Sequence, residues 1–239
     1  MRNYKRLLAL LVACVLVAAA RQEAAGAIIG SYEFGGGSPA SSDTELNSIA
    51  ANMTSDVGGA SGFSSSSGTA YARRSPETTT TESDAFSGND YFQFTVTPDT
   101  GKVLNLTSLQ LKQYATTTET GDDRWTGYLF VRSSALDNYG SNVDTTTSTR
   151  GSRYYDGSTL PTSTDVSLDL SDAAFQGIDE TVTFRIYLYH DVTTTGAADF
   201  HRLDDVVLNG VVVPEPSALA LGAFGLLGIA AYRRRRRRS

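Results

Sequence analysis

A chain of 239 residues has room for one domain of ordinary size plus end segments. Its formal net charge of -6 hides an asymmetry: between Ile28 and Val213, ten basic residues stand against twenty-four acidic ones, a net of -14, while the remaining basic residues crowd the two ends. So acidic a body lacks the cationic surface that displaces counterions from a phosphate backbone, which argues against nucleic-acid binding. A lone cysteine, Cys14, excludes a disulfide framework and a cysteine-based metal site in the body.

The N-terminus reads "MRNYKRLLALLVACVLVAAARQEAAGA". Arg2, Lys5 and Arg6 form a positive n-region, and Leu7 to Ala20 is an apolar run too short for a comfortable membrane span. Ala25 and Ala27 supply the small residues that signal peptidase accepts, so residues 1–27 are expected to be a signal peptide, with a cut after Ala20 as the alternative. "LVAC", from Leu11 to Cys14, matches a lipobox, but the run stays apolar through Val15, Leu16 and Val17, where a lipoprotein turns polar. Cys14 therefore reads as part of the hydrophobic run.

From Ile28 to Val213 the pattern predicts one body made of strands. "IIGSYEF" is a first strand, and the Ser-, Thr- and Gly-rich stretch that follows, up to about residue 90, predicts long loops with one or two weak strands. "YFQFTV" alternates Phe92, Phe94 and Val96 with Tyr91, Gln93 and Thr95, as a half-buried strand does. "TPDTGK" carries turn chemistry at Pro98 and Gly101. In "VLNLTSLQLKQY", Leu104 and Leu106 are out of phase with Leu109 and Leu111, which predicts a bulge or kink between the pairs. "WTGYLFVR", "DVSLDL", "TVTFRIYLYH" and "FHRLDDVVLNGVVV" complete the series, with one helical turn at most, between Leu170 and Ile178. No segment of helical period and useful length interrupts them, so the expected fold is all-β: a β-sandwich, in jelly-roll form, flanked by an N-terminal signal helix and a short C-terminal transmembrane helix.

Threonine clusters at Thr78 to Thr81, Thr116 to Thr118, Thr145 to Thr147 and Thr193 to Thr195 fall where connections are expected. They read as exposed loops and edge strands, with O-glycosylation as the sharper alternative. "NMT" at Asn52 and "NLT" at Asn105 match the N-glycosylation sequon, although Asn105 lies in an expected strand.

Catalytic chemistry finds little footing. His190 and His201 are the only histidines, and no "GxSxG" elbow accompanies them. Gly35 to Gly37 lacks the Lys-Ser/Thr of a phosphate cradle, and no Ca2+-loop spacing appears. The expectation is no cofactor, with a structural Ca2+ left open by the fold class alone. Asp122 and Asp123 suit a hairpin loop. Asp204 and Asp205, neighbours on a strand, are expected to point to opposite faces, one of them toward Arg202 or another arginine as an ion pair. Sugar binding needs aromatic platforms, for which Trp125, Tyr154, Tyr155, Tyr187 and Tyr189 are candidates. Arg185, Tyr187 and Tyr189 share one strand face opposite Phe184, Ile186 and Leu188. With those three in the core, the row points outward, to stack on a saccharide or to pack across strands.

The tail, residues 214–239, begins with Pro214, Glu215 and Pro216, which end the strand ladder. An uncharged stretch from Ala218 to Tyr232 follows; as a helix it spans roughly 23 Å, less than a full hydrocarbon core. Arg233, Arg234, Arg235, Arg236, Arg237 and Arg238 then hold that end in the cytoplasm, with the body outside. A Pro-Glu-Pro triplet, a short apolar helix and a basic cluster, opposite a signal peptide, resemble the PEP-CTERM sorting signal of Gram-negative bacteria. The resemblance implies recognition at Pro214, Glu215 and Pro216 by an exosortase, a membrane-embedded cysteine transpeptidase-like enzyme that removes the tail. It also implies export, transient residence in the inner membrane, and association with extracellular polysaccharide, matrix or biofilm. "NDYFQFTVTP", "LNLTSLQL" and "RLDDVVLNG" further resemble bodies that accompany this tail in planctomycete and verrucomicrobial proteins, which are jelly-roll sandwiches without assigned activity. An uncut C-terminal anchor is the plainer alternative for the tail, though it needs neither the triplet nor so short a helix. The functional expectation is an exported, non-enzymatic surface or matrix protein, with a carbohydrate-binding module as the alternative.

Overall fold

The computed structural model describes residues 26–43, 45–57, 61–73, 79–117, 125–143, 147–153, 162–191 and 200–215. Twelve strands lie within them: β1 (Ala27–Tyr32), β2 (Ser48–Ala50), β3 (Thr54–Ser55), β4 (Ser61–Ser64), β5 (Thr69–Arg73), β6 (Tyr91–Pro98), β7 (Lys102–Thr117), β8 (Thr126–Ser133), β9 (Thr147–Arg153), β10 (Thr164–Asp169), β11 (Val182–His190) and β12 (Phe200–Pro214). One helix, α1 (Glu82–Gly88), and two single 3-10 turns, Gly35–Gly37 and Ala173–Phe175, accompany them. Neither expected membrane segment falls among these residues, and no helix among them is long and apolar enough to cross a membrane.

Alternation assigns the faces. Phe92, Phe94 and Val96 of β6 and Phe184, Ile186 and Leu188 of β11 all point into one core. In β7 the expected phase change is a bulge. Asn209 and Gly210 of β12 face Ser108 and Leu106, so Thr107 is the extra residue, and all four leucines are buried. The Thr107 carbonyl accepts the Leu170 amide at 3.0 Å. Tyr32, Phe94, Phe184 and Phe175 form a chain of rings through the core, with centroids 5.1 to 6.1 Å apart. Each fully buried side chain of this size contributes about 1.5–3 kcal/mol by leaving water.

The first sheet runs β4-β5-β12-β7-β10, with β1 beside the later half of β12; the second runs β2-β6-β11-β8-β9, with β3 beside β6. The two opposed quartets, β5-β12-β7-β10 and β6-β11-β8-β9, have the strand order of a jelly roll. β9 also pairs in parallel with the end of β7 and so joins the sheets along one side.

Four features depart from the sequence reading. The stretch before residue 90 holds four short strands after β1, not one or two. It also holds α1, started by a capping box: the Thr81 hydroxyl accepts the Asp84 amide at 3.1 Å and the Asp84 carboxylate accepts the Thr81 amide at 3.0 Å. At seven residues, α1 is too short to show a period. The threonine clusters are not simply exposed connections. Thr147 opens β9 at the edge of the second sheet, as expected, but Thr116 lies buried in β7 with its hydroxyl donating to the Phe200 carbonyl. Thr79 is buried and donates to Asp90. Lastly, Asp204 and Asp205 do not part to opposite faces. Asp205 adopts φ 47° at a second bulge, where Asp204 faces Lys112 and Val207 faces Gln110. The extra residue restores the phase, so Leu203 and Val206 both enter the core and the two aspartates stay outside it.

Candidate functional site

The tyrosine row is where alternation puts it, on the outer face of the second sheet, but a third layer covers much of it. Tyr187 is 0 % exposed, packed under α1 with Ala85, Tyr91 and Phe130. Its ring stacks on Phe130 at 4.8 Å and meets Phe86 of α1 at 5.7 Å. Arg185 lies between the rings of Tyr91 and Tyr139, 4.5 and 4.1 Å from their centroids, and its Nε donates to Gln93. Arg132 ties the cover down, donating to Asn142 and to the Tyr139 carbonyl and pairing with Glu82 of α1. Tyr187 therefore offers no face to a saccharide. Tyr189 is half-buried and stacks on Tyr128, its partner across β8, at 4.9 Å. Trp125 is buried against His201 and is not a platform; Tyr154 and Tyr155, like Asp122 and Asp123, lie outside the described residues.

Both histidines close one end of the core. His201 Nε2 lies 3.0 Å from Gln113 Oε1, and burial, with His190 nearby, pushes its imidazole down to about 3. A Cβ at Gly127 would come within 2.9 Å of the Trp125 ring and 3.1 Å of the His201 ring, so only glycine lets these rings pack there. Both rings are thus part of the packing of the core.

On the outer face of the first sheet, a cleft of about 470 Å³ is lined by Ser31, Glu33, Gln110, Lys112, Asp165 and Asp205, among others. The expected aspartate–arginine pair is instead an aspartate–lysine one. Lys112 Nζ meets Asp205 Oδ2 at 2.6 Å, and this bond holds the ammonium above the usual lysine range. Burial, reinforced by Asp205 and Glu33, pushes the Asp204 carboxyl up to about 6 against the opposing Asp205 amide and Lys112. The cleft is an open groove in which hydroxyl, amide, ammonium and carboxylate groups are set among the apolar side chains of Leu111, Val166 and Val207. Among the described residues no three His, Cys, Asp or Glu side chains gather as metal ligands. Asn105, one of the two sequon asparagines, is engaged by the fold, its Oδ1 accepting the Gly177 amide at 2.7 Å.

At the opposite end of the sandwich from the histidines, β12 runs out as Val211, Val212, Val213 and Pro214, paired with Asn105, Leu104, Val103 and Lys102. The Glu215 amide then donates to the Gly101 carbonyl at 3.0 Å, in the β6–β7 turn. The side chains of Pro214 and Glu215 are exposed while their backbone is held. β1 begins at this same end, with Ala27 opposite Gly210, so the described chain enters and leaves the body at one pole. Residues 212–237 match the family model of the PEP-CTERM protein-sorting motif. The chain carries a PEP-CTERM sorting signal.

That signal implies an exported protein addressed to an exosortase. The motif opens inside β12, so Val212, Val213 and Pro214 belong at once to the sandwich and to the address. A domain boundary at Val213 had no way to show this, because prolines mark where a ladder must end and not how far its partner holds the chain. Pro216 and the six arginines lie outside the described residues. No curated protein matches the chain in sequence. Among solved structures, the K1 cleaved adhesin domain of Lys-gingipain from Porphyromonas gingivalis W83 is similar over 74% of this chain and 95% of its own, at 12% identity and a TM-score of 0.33. A structure of carbohydrate-binding modules from the β-sandwich superfamily is similar over 77% of this chain and 63% of its own, at 13% identity and a TM-score of 0.27.

Proposed function

We propose that this is a non-enzymatic protein of the cell surface or extracellular matrix. A signal peptide at residues 1–27 exports it, and the apolar stretch from Ala218 to Tyr232 holds it in the inner membrane with its arginines inside. An exosortase then reads Pro214, Glu215 and Pro216 and removes the tail. The observation that carries this reading is the PEP-CTERM match over residues 212–237, joined without a linker to a jelly-roll body. The absence of catalysis is supported by the fate of the candidate groups. Both histidines are built into the core, and Asp205 is bound to Lys112. The C-terminal peptide of the mature protein is the test.

A second reading, recognition of extracellular polysaccharide by the body, is favoured by the open cleft around Lys112 and Asp205 rather than by the covered row at Arg185 and Tyr187. Affinity electrophoresis of the body through polysaccharide-containing gels separates the alternatives. Retardation lost in the Gln110→Ala/Asp165→Ala double variant, but kept in Tyr128→Ala/Tyr189→Ala, assigns the cleft. The reverse pattern assigns the Tyr128–Tyr189 stack, and no retardation of the parent removes the reading.

A further inference from the structure

The sorting triplet is not presented on a flexible stalk. Its first residue is the last of a core strand, and its second is hydrogen-bonded to a turn of the body. Only Pro216 and Ser217 separate Glu215 from the apolar stretch that begins at Ala218. Three residue steps, fully extended, reach at most about 10 Å. With β12 intact, Pro214 and Glu215 are held against the sandwich, Pro214 paired with Lys102 and the Glu215 amide bonded to Gly101. An enzyme in the membrane that takes up these residues as free, extended chain is therefore short of both chain length and free backbone.

The end of β12 is built to supply both. Val211, Val212 and Val213 are only half-buried, and among the described residues they pair on one side alone, with β7. From Gly210 inward the strand is paired on both sides, by β1 and β7, and Leu208 and Val206 are fully buried. Gly210 marks the change: a Cβ there would fall 2.6 Å from the Asn105 carbonyl oxygen, so the backbones are in tight contact at that point. The Thr107 bulge lies directly opposite, between the partners of Asn209 and Gly210. Strand ends with one partner and little buried surface open at low free energy, whereas doubly paired core segments do not.

Resting on the sorting reading, we propose that exosortase processing is gated by fraying of β12: Val211 to Glu215 peel from Lys102–Asn105 and Gly101, with Gly210 as the stop. Peeling adds five residues, roughly 17 Å of reach, and frees the backbone of Pro214 and Glu215. It draws Val212 off the rim of the core but leaves the fully buried residues of the jelly roll in place, so the body stays folded while its tail is cut. The apparent affinity of the enzyme for this substrate falls by the fraction of molecules that are frayed.

Pulse-chase of the full-length protein in cells that process it tests the gate. One variant inserts about eight Gly/Ser residues between Val213 and Pro214, supplying slack without fraying. A second, Val103→Cys/Val213→Cys, places thiols at directly opposed positions, where a disulfide staples the strand end. The expected result is loss of the arginine cluster roughly fivefold or more faster in the first. In the oxidised second variant the loss slows by a similar factor and recovers on reduction. An unchanged or slower rate with the linker, or an unchanged rate in the oxidised stapled form, overturns the gate while leaving sorting intact. A parent protein that keeps its arginines overturns sorting itself, and the gate with it.

Discussion

His201 and Asp204 lie three residues apart on β12, yet acid acts on them in opposite senses. The His201 imidazole is enclosed, and its folded-state value of about 3 is below the ordinary 6.5. The unfolded chain therefore binds the extra proton first, and stability is lost as pH falls from 6.5 toward 3. Asp204 has a folded-state value of about 6 against an ordinary 3.8, so the folded chain takes the proton first and stability is gained as pH falls between those limits. Solvent screens the half-exposed aspartate, so the histidine dominates and the net effect is acid destabilisation. Denaturant midpoints at pH 7 and pH 4.5 are predicted to drop more steeply in Asp204→Asn than in the parent, and least in His201→Gln. Equal drops in all three would show that neither group controls the acid limb. Residues of this kind mark the limit of what alternation can tell. It put Phe184, Ile186 and Leu188 inside and Arg185, Tyr187 and Tyr189 outside the sheet, and that holds. It carries no sign of a third layer, and Phe86, Tyr139 and Arg132 turn an apparent sugar platform into a packed interface. Likewise, two adjacent aspartates share a side only because φ 47° at Asp205 adds a residue to the strand.

Among the elements, the six central strands β6, β7, β8, β10, β11 and β12 were legible because each carries a run of two-residue alternation with an apolar face, broken in β7 and β12 by bulges. Even the Thr107 bulge was visible, as a change of phase. β9 was not, since "TSTRGSR" has no apolar face; it is held by backbone pairing to β8 and β7 and by the Gln113 amide, which donates to the Thr147 hydroxyl. α1 was missed for a related reason. Its one contribution to burial is Ala85 and part of Phe86, and its only signature is the capping box at Thr81 and Asp84. That box is what keeps two turns of helix over Tyr187, so its loss is predicted to be felt out of proportion to its exposure. Thr81→Ala should lower stability by about 1 kcal/mol, read as a shift of the denaturation midpoint, because an N-cap hydroxyl of this kind satisfies an otherwise orphaned amide. A Thr81→Ser exchange should restore most of it. An alanine variant as stable as the parent would mean that α1 is anchored entirely by Arg132 and Phe86.

At the scale of the whole molecule, one body of net charge -14 is joined to an end that carries six arginines, and the chain enters and leaves that body at a single pole. An address is legible in sequence because its parts are contiguous and each acts by simple physics. Prolines end a ladder, an apolar stretch suits lipid, and arginines stay in the cytoplasm. The cleft is not legible in this way, because its groups come from β1 and the residues just after it, β7, β10 and β12, and meet only in the fold. The central claim is that the tail is an address which is read and removed. The intact mass and C-terminal peptide of the protein recovered from the cells that make it test this most directly. Loss of everything from about Pro216 onward, with the body through Val213 intact, is the predicted result. A C-terminal peptide that still carries Arg233 to Arg238 would contradict it and leave a simple membrane anchor in its place.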